Sequence, residues 1–492
     1  MAALLLLLVP IIGAGFLFIY QGNARFTSLA ALKVAVTSLL VMLASLVWWT
    51  TPEMLQFSIP WLSSVGSAFS LKMDGLGKIL CLLNVIAYFL LFVYMQQKEV
   101  SRPHAFYGWL LLAQAGMNGV FLATDSLLFY FFWELALIPM YFLASQWGGA
   151  RRIAVTFKFF VYTFFGSVLM LVGILYLQSL TADHSFSIES FRKLRLSADQ
   201  QSWLFWLFFL SFAIKLPVFP FHTWQPDTYE ESPTPVTAIL SAVMVKMGIL
   251  GLLRWLLPLL PIASYMWGDV VMSLAVAGIV YGSLLAMRQT DIKRLVAYSS
   301  IAHIGLLSAA AFALNISAYQ GLLLQSFTHG VNILGMWMLV DIIERRTGTR
   351  DMRSLGGLAQ HSPVLTIFFV IIALANIALP LTNAFVGEFL LFNGLLSTPS
   401  NYYWILASVG GLGIILSAVY TLQMIRAIFY GEYQQAASQT IHLSAGEWIA
   451  LSSIVVFILV FGVYPQPLLD LSADFVKELM SQTDISSLFR KS

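Results

Sequence analysis

Apolar residues in this chain run almost unbroken for about 20 residues at a time, the length at which an α-helix crosses the hydrocarbon core of a bilayer. Fourteen such runs are read, at roughly 1–20, 29–50, 76–96, 107–123, 126–147, 154–179, 202–222, 235–257, 267–287, 295–314, 317–342, 362–395, 402–431 and 444–464. Lipid offers backbone amides and carbonyls no partner, so each run must be helical. The pattern predicts an all-α polytopic membrane protein with about 14 transmembrane helices. The first run has no basic stretch ahead of it and reads as a retained helix, not a cleaved signal.

Two runs carry their own interruption. The seventh contains FAIKLPVFPFHTW, in which Pro217 and Pro220 remove two helical donors near Lys215. The twelfth contains IALANIALPLTNAFVGEFL, in which Pro380 and Gly387 bracket the polar step Thr382-Asn383 near Glu388. One proline is more often a packing kink. Paired broken helices at matching positions, each beside a charge, mark transporters built from inverted repeats. The expected organisation is therefore 1–106 (helices 1–3), 107–257 (first five-helix repeat), 267–431 (second, inverted repeat) and 432–492 (helix 14 and tail), with helices 7 and 12 broken.

Composition sharpens this picture. Hydrophobic residues make up 59% of the chain and charged residues 10%, against about 25% charged in soluble proteins. A net charge of +3, with the basic residues spread over several segments, gives no sign of nucleic-acid binding. The single cysteine, Cys81, lies inside an apolar run and can form neither an intrachain disulfide nor a multi-cysteine metal site. Basic residues gather after odd-numbered runs: Lys98 and Arg102, Arg151 and Arg152, Arg288, Lys293 and Arg294, then Arg345, Arg346, Arg350 and Arg353. Even-numbered loops hold little beyond Lys72 and the cluster Arg192, Lys193 and Arg195. The positive-inside rule makes the odd loops cytoplasmic and puts both termini on the other side.

An ionisable side chain at bilayer depth costs about 2.5–3.5 kcal/mol, and six stand there: Glu134, Lys215, Lys246, His303, His329 and Glu388. One buried ion pair could lock helices together and do nothing more. Two carboxylates, two lysines and two histidines are not explained by one pair. Desolvation weakens a lysine's hold on its proton and a nearby carboxylate restores it, while histidine exchanges protons near neutral pH. The set reads as a proton relay. No P-loop, GxGxxG, CxxC or HExxH motif occurs, and the histidines lack the spacing of metal ligands. The energy for transport must then come from outside this chain.

The segments FLATDSLLFYFFWELALIPMYFL, FAIKLPVFPFHTWQPDTYEESPTP, AVMVKMGILGLLR, DIKRLVAYSSIAHIGLL, SFTHGVNILGMW, ERRTGTRDMRSLGGL and NAFVGEF, within residues 70–430, resemble the M-type antiporter-like chains of respiratory complex I, the NADH–quinone oxidoreductase. The resemblance implies fourteen helices with inverted repeats. It makes Glu134 and Lys215 a modulating pair, Lys246 the central lysine, His303 and His329 linking histidines, and Glu388 the terminal group; His222 joins as a possible relay member. It implies no cofactor in this chain, with FMN, iron–sulfur clusters and quinone in partner subunits. L-type and N-type chains would lie on either side in a bacterial cell membrane. Two departures stand out. Gln114 occupies a place where the family often has glutamate, and QPDTYEESPTP replaces a commoner wording. Glu230 and Glu231 in that segment read as solvated loop charges more readily than as an entrance rim. The alternatives are a D-type subunit of a multisubunit Mrp cation/proton antiporter, which would share Glu134, Lys215 and Lys246, and a passive membrane scaffold.

Overall fold

The computed structural model describes every residue except 21, 50, 432–439 and 484–492. Among the described residues twelve helices are long and apolar enough to cross a membrane, from Ala2–Ile19 to Ala445–Val463. The two remaining runs are the interrupted ones. Ala198–Lys215 stops well short of the expected end at 222, and the chain resumes as Gln225–Glu231. The 362–395 run divides into Pro363–Asn376 and Asn383–Leu396. The protein is thus a polytopic helical membrane protein with both predicted breaks present.

Each break frees carbonyls that lipid cannot satisfy, and side chains take them up. At the first, the Trp224 indole N–H donates to the Ile214 carbonyl at 2.9 Å. At the second, Asn332 Nδ2 donates to the Ala375 carbonyl at 3.2 Å, and Asn332 and Asn383 exchange amide hydrogen bonds at 2.9 and 3.0 Å. Ala378 and Leu381 take left-handed φ values of 55° and 72° to turn the chain there, a conformation that side chains other than glycine adopt at a cost.

Burial sorts the helices. The apolar stretches of Thr234–Leu256 and Ile316–Thr347 are wholly buried, whereas those of Ala24–Val47, Arg152–Leu180 and Ala445–Val463 are buried over less than half of their residues. Phe157, Phe165 and Ile415 point outward, as a surface that meets lipid requires. The two central helices close on each other at Gly330. A Cβ there would lie 2.9 Å from the Ala242 carbonyl oxygen and 2.7 Å from Leu83.

Two elements depart from the expected all-α chain with a plain tail. Gln56–Leu62 and Ser67–Lys72 form an antiparallel hairpin in the loop before Gly75–Tyr94. Outside the bilayer an extended segment can find backbone partners, so strand is allowed where a spanning helix is not. Asp125 clamps the hairpin to the helix that it caps, accepting from Ser67 Oγ (2.9 Å), Ala68 N (3.0 Å) and Leu128 N (3.0 Å). After the last span, Gln466–Thr483 is an amphipathic helix that buries Leu468, Phe475, Val476 and Leu479 against Gly75–Tyr94 and Ile316–Thr347.

Asp74 joins these layers. It caps Gly75–Tyr94 through Gly77 N at 2.7 Å and ion-pairs with the buried Arg254 at 2.6 Å. Arg254 also donates to the Phe121 carbonyl at 2.7 Å. Asp74→Ala leaves the guanidinium buried without its counter-charge, so stability should fall by about 3–5 kcal/mol. Thermal unfolding of the purified protein in detergent measures this; an unchanged midpoint would show that Arg254 is satisfied without Asp74.

Candidate functional site

Lys246 sits in the buried helix Thr234–Leu256 between two π-helical segments, Leu240–Met244 and Gly251–Leu256. Such widened turns recur at functional positions. Its ammonium reaches the Ser241 carbonyl oxygen at 3.1 Å and His329 Nδ1 at 3.0 Å. His329 can come this close because Gly330, the next residue, lets its helix approach. The rings of His329 and His303 lie 5.4 Å apart, centre to centre. His303 Nδ1 then stands 3.6 Å from Glu388 Oε1. Four of the six expected groups thus form one file, Lys246–His329–His303–Glu388, across four helices.

The file sets the order of the two histidines. Glu388 faces His303, with His329 set back beside Lys246. Helix phase explains it, since Ile292–Ala311 presents His303 toward Asn383–Leu396. Gln325 Nε2 approaches Glu388 Oε1 at 3.5 Å, while Gln325 Oε1 accepts from Thr328 at 2.9 Å. The Thr328 hydroxyl therefore fixes which end of the amide faces the carboxylate. A small cavity lined by His303, Glu388, Ser417 and Tyr420 adjoins the end of the file.

The other two groups are not brought into contact. Lys215 ends its helix, buried, with its ammonium 5.6 Å from the Trp133 ring centre and 5.9 Å from that of Phe159. Among the described residues no hydrogen-bond acceptor reaches its Nζ, and Glu134 Oε1 is likewise unpartnered. Glu134 and Lys215 are therefore not joined by a hydrogen bond here: the ammonium packs against the aromatic rings, and Ser167 stands beside Glu134. His222 lies in the first break, buried between Phe219 and Tyr281 at 5.7 and 5.1 Å, and its Nδ1 has no hydrogen-bond partner among the described residues. It is not linked to either lysine. Gln114 is fully buried, and both of its side-chain polar atoms lack such partners.

Glu230 and Glu231 are not solvated loop charges. Glu230 accepts from Arg151 (3.3 Å), Arg294 (2.6 Å) and Arg350 (2.7 Å), and Glu231 from Arg151 at 3.2 Å. One acidic turn falls between three basic loops, and ion pairing gathers them. Glu230, Glu231 and Arg350, with Thr234 and Lys293, line a cavity of about 580 Å³. Lys98 stands on the same cavity, bonded to Asp341 at 2.6 Å; Tyr94 and Arg345 share that carboxylate at 2.5 and 2.9 Å. Burial pulls the Lys98 ammonium down to about 8, against the opposing pull of Asp341. Asp341, Arg254 and Gln325 were missed from sequence. The first two lie at the ends of apolar runs, where a charge reads as a boundary, and an amide carries no charge to notice.

A family model for the NADH:quinone oxidoreductase/Mrp antiporter transmembrane region matches residues 123–472. NADH-quinone oxidoreductase subunit M of Pseudomonas aeruginosa is 35% identical, with 95% of each chain covered. F(420)H(2) dehydrogenase subunit M of Methanosarcina mazei is 33% identical over 97% of this chain and 98% of that one. Among solved structures, a chain of respiratory complex I from Thermus thermophilus with bound NADH superposes with a TM-score of 0.88 at 28% identity, over 97% of this chain and all of that one.

The Trp224 indole is the only side-chain donor recorded on the Ile214 carbonyl among the described residues. Trp224→Phe keeps the ring and removes the N–H, so stability should drop by about 1–3 kcal/mol. Thermal unfolding in detergent checks this, and a wild-type midpoint would mean the carbonyl finds another donor.

Proposed function

Because the chain belongs to the NADH:quinone oxidoreductase/Mrp antiporter transmembrane family, we propose that it is an M-type antiporter-like subunit of a complex I and carries protons across the membrane. The observation that supports this reading most directly is the continuous file Lys246–His329–His303–Glu388. Electron transfer from NADH to quinone would occur on FMN, iron–sulfur clusters and quinone held by partner subunits, and this chain would transport in response. L-type and N-type chains would flank it in a bacterial cell membrane. Residues 107–257 and 267–431 would be the two inverted repeats, within fourteen spans in all.

At 3.0 Å, Lys246 Nζ and His329 Nδ1 can hold one proton between them: an ammonium donates to neutral imidazole, or imidazolium to neutral amine. His329 Nε2 and His303 Nε2 have no hydrogen-bond partner among the described residues, so a ring rotation or a bridging water would pass the proton on. From 3.6 Å, His303 Nδ1 needs to move about 0.7 Å to donate to Glu388 at an ordinary N–H···O length of about 2.9 Å. Gln325 would steady the carboxylate after release. Glu134 would act on Lys215 by charge across a gap, and an approach of the two would be the gating event. With the basic loops cytoplasmic and both termini opposite, Glu388 follows the second break toward the exit side.

An Mrp antiporter subunit would share much of this site. The extent of the match to subunit M and to complex I favours the first reading.

Lys246→Ala should leave the complex assembled but reduce proton translocation at least tenfold. Lys246→Arg should do nearly the same, because guanidinium does not release its proton. Proton uptake by vesicles reads this out, and near-normal pumping by the arginine variant would remove Lys246 from the relay. For the terminal group, Glu388→Gln should block translocation while Glu388→Asp keeps a substantial part of it. The measure is protons moved per quinone reduced at matched assembly; equal pumping by the two variants would mean residue 388 does not titrate in transport.

A further inference from the structure

We propose that the cavity between the start of Ala24–Val47 and the start of Pro103–Leu122 binds the headgroup of a zwitterionic phospholipid, phosphatidylethanolamine. The site lies apart from the file Lys246–His329–His303–Glu388, and its argument is independent of the transport reading.

The cavity measures about 620 Å³. Its walls are Arg25 and Ser28 of one helix, Pro103 and Tyr107 of the other, and the turn from Gln96 to Val100. Part of its polar equipment is already spent. Gln96 donates to the Ser28 and Phe92 carbonyls at 3.0 and 2.9 Å, and Lys98 is bonded to Asp341 at 2.6 Å. The charges left over are Arg25 and Glu99, whose side chains make no ion pair or hydrogen bond among the described residues. The Tyr107 hydroxyl is fully buried and has no hydrogen-bond partner among the described residues either. No side chain caps Pro103–Leu122, so amides of its first turn keep unfilled donors, and such amides favour phosphate.

One free cation and one free anion on the same wall suit a ligand that carries both charges. A phosphate diester accepts from the Arg25 guanidinium, the Tyr107 hydroxyl and the helix-start amides. A primary ammonium has three N–H groups to give, and a carboxylate only accepts, so Glu99 takes the ammonium end. An anionic lipid would set its phosphate against Glu99 with nothing to offset that carboxylate. A choline ammonium has no N–H to donate to it. The surroundings fit acyl chains as well. Phe26 and Leu29, the residues after Arg25 and Ser28, are exposed, as is Phe16. Tyr20 stacks with Phe16 and meets Phe26, at 5.6 and 4.8 Å between ring centres, as aromatic residues do at the level of lipid headgroups. Gln97 to Val100 also line the cavity of Glu230 and Arg350. A bound headgroup therefore braces the turn that holds Lys98 on Asp341.

Photolabelling of the intact complex in phosphatidylcholine vesicles tests the site. The probe is a trace of phosphatidylethanolamine with a diazirine in its acyl chain, and labelled peptides are mapped by mass spectrometry. Label should gather on the peptides that carry residues 24–29 and 103–107. Excess unlabelled phosphatidylethanolamine should displace most of it, and the same excess of phosphatidylglycerol should not. The double variant Arg25→Gln, Tyr107→Phe should lower labelling of these peptides at least fivefold, while labelling of the lipid-facing helix Arg152–Leu180 stays as in wild type. Glu99→Gln decides the headgroup: it should bring phosphatidylethanolamine labelling down to that of a diazirine phosphatidylcholine, a loss of preference that misfolding would not produce. Wild-type labelling in the double variant overturns the site. Equal displacement by phosphatidylglycerol, or an unchanged preference in Glu99→Gln, overturns the zwitterionic ligand.

Discussion

Hydrocarbon gives a polypeptide no hydrogen bond, and the rest of this structure is arranged around that fact. Each interruption of a spanning helix exposes carbonyls that would cost several kcal/mol apiece if left bare. Here the remedies are specific side chains, Trp224 at the first break and the Asn332–Asn383 pair at the second. These side chains come from the neighbouring helix or the far lip of the break. Satisfying the backbone therefore also fixes where the half-helices lie, and with them Lys215 and Glu388.

The same constraint separates the two lysines. Lys246 has polar contacts on both sides, a carbonyl and an imidazole, inside a helix widened by π-turns. Lys215 has aromatic faces. A cation over an aromatic ring is stabilised without any route for its proton to leave, whereas a cation hydrogen-bonded to imidazole is one exchange from neutrality. Two identical side chains at bilayer depth are given different capabilities by what surrounds them.

Much of this was legible in the sequence. Run length fixed the helices closely because nothing but helix survives in lipid, and Pro217 and Pro220, then Pro380, marked the breaks. The six ionisable residues inside apolar runs stood out by cost alone. What sequence did not carry was partnership. That His303 takes Glu388, and His329 takes Lys246, depends on helix phase and on the close approach at Gly330, neither of which has a one-dimensional signal. The hairpin 56–72 escaped because its strands are short and lie outside the membrane, where lipid no longer dictates the backbone. Glu230 looked like loop decoration because its three arginines are scattered from 151 to 350.

That scatter matters to how the site could respond to events elsewhere. Arg151, Arg294 and Arg350 come from three separate parts of the chain, Arg294 from the first turn of the helix carrying His303, and Glu230 ties them to the half-helix Gln225–Glu231 that follows the first break. Arg350 further binds Asp291, which caps the helix carrying His303. A shift of the acidic turn would therefore be felt both at the first break and at the start of the histidine helix. The half-buried ion pairs are individually modest in energy, so rearranging them costs little. The central helices, by contrast, meet at glycine with backbone almost in contact and cannot slide without steric cost. A pliable polar collar over a rigid core lets a signal move charges at the mouth of the site while the distances along Lys246–His329–His303–Glu388 stay within reach of proton exchange.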